Sequence, residues 1–153
     1  MILPKDYREF IALLNGKNVK YVLVGAHANA YHGVPRSTGD IDFFVEKSDE
    51  NVALIAQALV EFGYPEGTFP PEYFLEDVVQ IGFPPQRIDI ISSLSGVSFD
   101  EVYSTAVYDV IDNLSIPIIS LDMLIKNRSA VGRYKDLADV EDLQKVAKRM
   151  KTE

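Results

Sequence analysis

The sequence predicts an α+β (mixed α/β) fold, a small mixed sheet flanked by helices. Three observations predict it. Short β-branched, apolar runs, Lys20 to Val24, Ile41 to Val45 and Arg87 to Ile91, read as buried strands. Between them apolar residues recur at helical spacing, as at Val52, Ile55, Ala56 and Leu59. Strands and helices alternate first and strand-like segments then cluster, the order of helices packed on a mixed sheet.

Each element has a local reason. Residues 4 to 15 put Phe10, Leu13 and Leu14 on one helical stripe, and Gly16 is a stop. The strand over Lys20 to Val24 breaks at Gly25-Ala26, and an alanine-rich helix follows from Ala26 to Tyr31. After the strand at Ile41 to Val45, Ser48-Asp49-Glu50 caps a helix reaching Phe62. Glu72 to Leu75 starts a short helix, Val78 to Gly82 is a short strand, and Pro84-Pro85 is a turn before Arg87 to Ile91. Phe99 to Ala106 reads as a helix. Val107 to Ile111 and Leu114 to Ile119 read as strands around an Asp112-Asn113 hairpin turn. Leu121 to Ser129 and Lys135 to Arg149 close the chain as helices.

The 153 residues suit one domain spanning 1–153, with the C-terminal helices, 121–149, packed on the core. Fifteen Lys and Arg face twenty-three Asp and Glu, a net charge of -8, which disfavours nonspecific binding to nucleic-acid backbones. It leaves room for a local basic cluster or for carboxylates around a cation. No cysteine is present, so disulfides and thiolate metal sites are excluded. No apolar run approaches the ~20 residues of a membrane span and the N-terminus turns polar at once, so a cytoplasmic protein with no membrane partner is expected.

The chemistry concentrates in carboxylates. In a strand, alternate side chains share a face, so Asp40 and Asp42 of Gly39-Asp40-Ile41-Asp42 project together. Two like charges side by side are unfavourable without a cation or a proton, and magnesium takes oxygen ligands of this kind. A solvated strand end is the plain alternative. Asp89 sits inside the apolar run Arg87-Ile88-Asp89-Ile90-Ile91, where an unpartnered ionised carboxylate is costly. Pairing with Arg87 would satisfy it; so would a strand beside Asp40 and Asp42, making Asp89 a third ligand. Gly25-Ala26 forms a small-residue turn between strand and helix, where backbone N–H groups suit phosphate.

Taken in order, Val24-Gly25-Ala26, Asp40-Ile41-Asp42 and Asp89 resemble the nucleotidyltransferase superfamily that includes DNA polymerase beta. The wording VGAHANAYHGVPRSTGDIDFFV looks like its bacterial minimal and abortive-infection-type branch, and Lys126, Arg133-Tyr134-Lys135-Asp136 and Asp139 match that branch's late pattern. The resemblance implies transfer of a nucleoside monophosphate from a nucleoside triphosphate, ATP among the donors, to an acceptor hydroxyl. Asp40, Asp42 and Asp89 would be both the catalytic residues and the ligands of Mg2+, or of Mn2+. Gly25, Ala26, Arg36, Ser37, Lys126, Arg133 and Lys135 would bind the nucleotide. The acceptor is left open among protein, RNA and small molecule, brought by a partner protein or by the second subunit of a homodimer, and the branch brings a toxin–antitoxin setting into view. One departure stands out: many active members carry Ser or Gly where this chain has Ala26. A nucleotide-binding or partner-binding module without turnover is therefore the alternative. A structural calcium site is excluded, because no EF-hand-like loop is present.

Overall fold

The structure is a computed structural model and describes residues 3–36, 39–76 and 78–152. The elements are α1 (Lys5–Gly16), β1 (Tyr21–Val24), α2 (Gly25–Tyr31), β2 (Ile41–Val45) and α3 (Asp49–Phe62). A 3-10 turn (Pro71–Leu75) leads to β3 (Val78–Ile81), β4 (Ile88–Ile91), α4 (Phe99–Ser104), β5 (Val107–Ile111), β6 (Leu114–Ile118), α5 (Leu121–Val131) and α6 (Tyr134–Thr152). They form a mixed sheet in the order β3-β4-β2-β1-β6-β5, with β2 parallel to β4 and β1 parallel to β6. The remaining pairings are antiparallel. The mixed sheet flanked by helices matches the sequence expectation, as do nearly all element positions. The expected helix over 99–106 ends earlier, at Ser104, and the last helix extends further, to Thr152.

The alternation of side chains along β2 sorts the molecule into two halves. Ile41, Phe43 and Val45 face α1 and α3: Phe10 of α1 meets Phe43 edge-on, with ring centroids 5.7 Å apart, and Phe62 of α3 lies 5.3 Å from Phe10. Asp42 and Phe44 point the other way, where Phe44 packs against Phe99 of α4 at 5.3 Å. Every residue of β1 is buried, which fits its uninterrupted apolar run. The chemistry-bearing carboxylate of β2 thus stands on the face away from the α1–α3 layer.

Two local devices fix the strand ends. At the β5–β6 hairpin, Asp112 and Asn113 both adopt positive φ, 51° and 65°, the geometry of a two-residue turn that follows the sheet's twist. At the other end of the core, Asn51 is buried and its amide clamps three segments. Its Oδ1 accepts from Lys20 N at 2.8 Å, and its Nδ2 donates to Lys20 O at 3.0 Å and Glu46 O at 2.9 Å. Its own N–H donates to the Ser48 cap at 3.2 Å. The start of β1, the end of β2 and the first turn of α3 are therefore held by one side chain.

Asn51→Ala leaves those backbone groups unpaired, at about 1–3 kcal/mol for a buried group left unsatisfied. With a chain of this length, where each kcal/mol moves Tm by about 2–4 °C, a drop of roughly 2–12 °C in a thermal melt is expected.

Candidate active site

The parallel pairing of β2 with β4 puts Asp42 directly opposite Asp89, side chains on one face. The antiparallel pairing of β1 with β2 puts Val24 opposite Asp42, so the chain turns into α2 over the carboxylate. Gly25 makes that turn with φ +72°, and a Cβ there would overlap the Asp42 carboxyl group. Gly39, just before β2, lies so close to the Pro85 carbonyl that it has no room for a side chain either. Tyr7 of α1 donates its hydroxyl to Gly39 O and lies 3.2 Å from Arg87 O, tying the two strand entrances together.

The carboxylates are not equivalent. Asp42 is pushed up to about 7, first by burial and then by the charge and hydrogen bond of Asp89, with Arg128 partly opposing. A hydrogen bond between two carboxyl groups needs a proton on one of them, so the pair holds a proton more readily than a lone carboxylate does. Asp40 is turned instead toward Arg87, whose Nη2 lies 3.0 Å from Asp40 Oδ2. The same guanidinium grips Asp89, with Nε 2.8 Å from Oδ1 and Nη2 3.2 Å from Oδ2. Both readings of Asp89 are therefore realised at once: it neighbours Asp42 and it pairs with Arg87. Tyr7 is pushed up to about 12 by burial and by the charges of Asp40, Asp42 and Asp89, so its hydroxyl keeps its proton. Burial holds His27 below the usual imidazole range against an opposing contribution from the Asp40 backbone.

Asp42, Arg87 and Asp89 line a cleft of about 590 Å³ closed on its far side by α5 and α6, whereas Asp40 is not part of its lining. Gly25, Ala26, Arg36, Arg133 and Lys135 all line it, beside Asp42 and Asp89. Lys126 does not: its Nζ lies 2.7 Å from Glu101, away from the cleft wall. Ser37 lies outside the described residues. The cleft also gathers Arg87, read in the sequence only as a partner for Asp89, and two residues that the sequence reading passed over, Asn29 and Arg128. Arg128 had a signal. It is one helical turn after buried Leu124, so it shares the inward stripe that Lys126 misses.

The arginines are held by a layer of carboxylates on α6. Asp136 is fully buried, with Arg133 Nε 2.7 Å from Oδ2 and Arg128 Nη1 3.4 Å from Oδ1. Burial pushes Asp136 up, but Arg133 and then Arg128 overcome it and hold it below the usual range. Asp139 pairs with Arg36 and lies 3.9 Å from Arg128 Nε.

As to a metal, the donor chemistry of Asp42 and Asp89 fits magnesium, which is commonly held by one or two carboxylates plus substrate phosphates. The mutual repulsion that raises Asp42 is the kind a divalent cation relieves. Asp40 is engaged with Arg87, and among the described residues no group of three or more His, Cys, Asp or Glu side chains is placed to hold one ion.

No protein-family model matches the chain, and no curated protein matches its sequence. Solved structures do match. A candidate nucleotidyltransferase from Thermotoga maritima aligns over 96% of this chain and 91% of its own, at 18% identity and a TM-score of 0.55. The lincomycin-bound lincosamide antibiotic adenylyltransferase aligns over 95% and 98%, at 15% identity and 0.56. The chain has the nucleotidyltransferase fold. The antibiotic-resistance factor ANT(2'')-Ia aligns over 95% of this chain and 82% of its own, at 13% identity and 0.52. Identities this low speak for the fold alone, so what this nucleotidyltransferase-fold chain does rests on its own cleft. Among its described residues no helix is long and apolar enough to cross a membrane.

Asp42 sits above its unfolded value, so the folded chain keeps a proton that the unfolded chain has lost. Stability from this group is present below the unfolded value of 3.8 and is lost as pH rises through about 7. Asp42→Asn is therefore expected to melt about 2–8 °C above wild type at pH 8, the scale of one to two kcal/mol. Near pH 4 the two should converge, and a gap that stays constant between the two pH values would contradict this placement of the proton.

Proposed function

We propose that the chain transfers a nucleoside monophosphate from a nucleoside triphosphate, ATP being the first donor to test, to an acceptor hydroxyl. The observation that supports this most is the in-register pair Asp42 and Asp89 under the Gly25 turn, facing a cleft walled by Arg36, Arg128, Arg133 and Lys135. Carboxylates for a divalent cation and guanidiniums for phosphate oxygens meet in one space large enough for a nucleotide.

Asp42 and Asp89 would hold Mg2+, with Mn2+ as a substitute. Asp40 would join them only on leaving Arg87. The bound ion would neutralise phosphate charge and favour ionisation of the acceptor hydroxyl. The rest belongs to the chain. Arg128 and Arg133 are aimed by Asp136, and Arg36 by Asp139, so their forks are set before a triphosphate arrives. The backbone at Gly25 and Ala26 lets a phosphate approach without a side chain in the way. The acceptor oxygen attacks the α-phosphorus, the bond to the bridging oxygen breaks, and pyrophosphate leaves. The hydroxyl proton passes to Asp89, which faces the cleft beside Asp42. Dependence on nucleoside triphosphates suits a cytoplasmic setting.

The alternative is a module that binds nucleotide without turnover, favoured by Ala26 and by Arg87 lying across Asp40 and Asp89. Chain length does not favour it. The chain spans nearly all of a protein named as an adenylyltransferase.

With Mg2+ and each triphosphate in turn, wild type should gain thermal stability with at least one of them. No gain with any would sink both readings. With labelled triphosphate, Asp42→Asn and Asp89→Asn are each expected to lower transfer by about 10²–10³-fold, the cost of removing a preorganised electrostatic group. Transfer unaffected by Asp40→Asn combined with Asp42→Asn would sink the site. Arg128→Ala should weaken triphosphate binding by about 10–100-fold, as for a lost charge-assisted hydrogen bond.

A further inference from the structure

A second concavity adjoins the cleft. It is a groove of about 680 Å³ between the Gly33–Arg36 segment and the last turns of α6. Its apolar surface comes from Val34, Pro35 and Val146, and its rim from Lys145, Lys148 and Arg149. In a chain of net charge -8 this is a local reversal of sign. The one acid in the lining, Asp142, lies 4.0 Å from Arg36. Lys145 has an exposed partner, Glu141, at 3.8 Å, whereas Lys148 and Arg149 form no ion pair among the described residues. Two unpaired cations beside an apolar floor suit a ligand with an anionic end and a flat or apolar body. Arg36 lines both groove and cleft. A ligand in the groove is therefore one side chain away from the wall of the cleft.

We propose that this groove seats the acceptor, and that the acceptor carries a phosphate: a nucleotide unit with its phosphate on Lys148 and Arg149 and its base on Val34, Pro35 and Val146. As an acceptor site it rests on the transfer reaction proposed above. As a binding site it does not. The phosphate can come from a free mononucleotide or from a nucleotide within a short strand, and the two share the chemistry that the groove reads. The positive rim also works against a cationic acceptor, which would meet like charge at Lys145, Lys148 and Arg149.

The test is direct binding to the full chain, without triphosphate. Labelled single-stranded pentaribonucleotide is titrated by fluorescence anisotropy at low salt, and a 5′-mononucleotide is added as competitor. Wild type is expected to bind the pentamer. Lys148→Glu with Arg149→Glu should weaken it at least tenfold and reduce the salt slope by about 0.7, the loss of one neutralised phosphate on a single strand. The neutral pair Lys148→Gln with Arg149→Gln should fall between, which guards against a folding defect in the reversed pair. A charge-matched control, Lys5→Glu with Lys47→Glu on another surface, should bind within twofold of wild type. Competition by the mononucleotide assigns the site to a single unit, and its absence assigns it to a strand; both support the groove. Thermal stabilisation by Mg2+ and ATP should be the same in the groove variants as in wild type. If that stabilisation is missing from wild type while pentamer binding persists, the transfer reading falls and the groove stands. No pentamer binding by wild type, or equal weakening in the control pair, overturns the proposal.

Discussion

The parallel register that sets Asp42 opposite Asp89 is the constraint to which the rest of the site answers. Two carboxyl groups side by side on a largely buried sheet repel each other and resist desolvation, and the fold meets this in layers. Asp42 is pushed up from the usual carboxylate range, by burial first and then by Asp89. Arg87 enters from the start of β4 and reaches Asp89 and Asp40 together. Gly25 gives up its side chain so that the backbone can pass over Asp42. None of these features has a purpose without the pair beneath them, and each occurs where strand pairing dictates.

The compensation continues outward. Arginines facing an acidic floor would scatter toward solvent if nothing held them. Asp136 and Asp139, one helical turn apart on α6, do so from behind, so cations are sandwiched between two acidic layers. Asp136 is fully buried, and a buried carboxylate persists only when its partners are well placed. The same pairs therefore fix how α5 and α6 sit against the sheet. Stability and chemistry are coupled here: a change that loosens Asp136 also misdirects Arg128 and Arg133.

Much of this was legible in the sequence, and what was not has physical reasons. Strand positions could be read because β-branched apolar runs are short and bounded by turn residues, and Asp40, Asp42 and Asp89 stood out because they interrupt such runs. The β2–β4 register could not be read, since it depends on which strands become neighbours in an order that differs from chain order. Arg87 was visible only as a neighbour of Asp89. Its reach to Asp40 crosses between strands, a relation no local pattern encodes. Lys126 and Arg128 show how helical phase decides: two residues apart on α5, one faces Glu101 and the other the cleft. The family pattern singles out Lys126, and the stripe through Leu124 points to Arg128 as the one that lines the cleft. Ala26 shows the opposite case. The missing hydroxyl was plain in the sequence, and the structure adds that it is the neighbouring Gly25 whose backbone lies against the Asp42 carboxyl group.

The alternation of signs across the cleft bears on what can enter it. A free anion meets Asp42 and Asp89, a free cation meets Arg36, Arg128 and Arg133, and each is repelled by one wall while attracted by the other. A ligand that carries both signs, with its cation toward the sheet and its anion toward α5 and α6, satisfies both walls at once. A metal-bound triphosphate has that polarity. Arg87 already supplies a cation on the sheet side, with its Nε 2.8 Å from Asp89. In the reaction proposed above, a divalent ion held by Asp42 and Asp89 would take over that role, and Arg87, a fourth guanidinium, would then be free to meet the phosphate charge arriving with it.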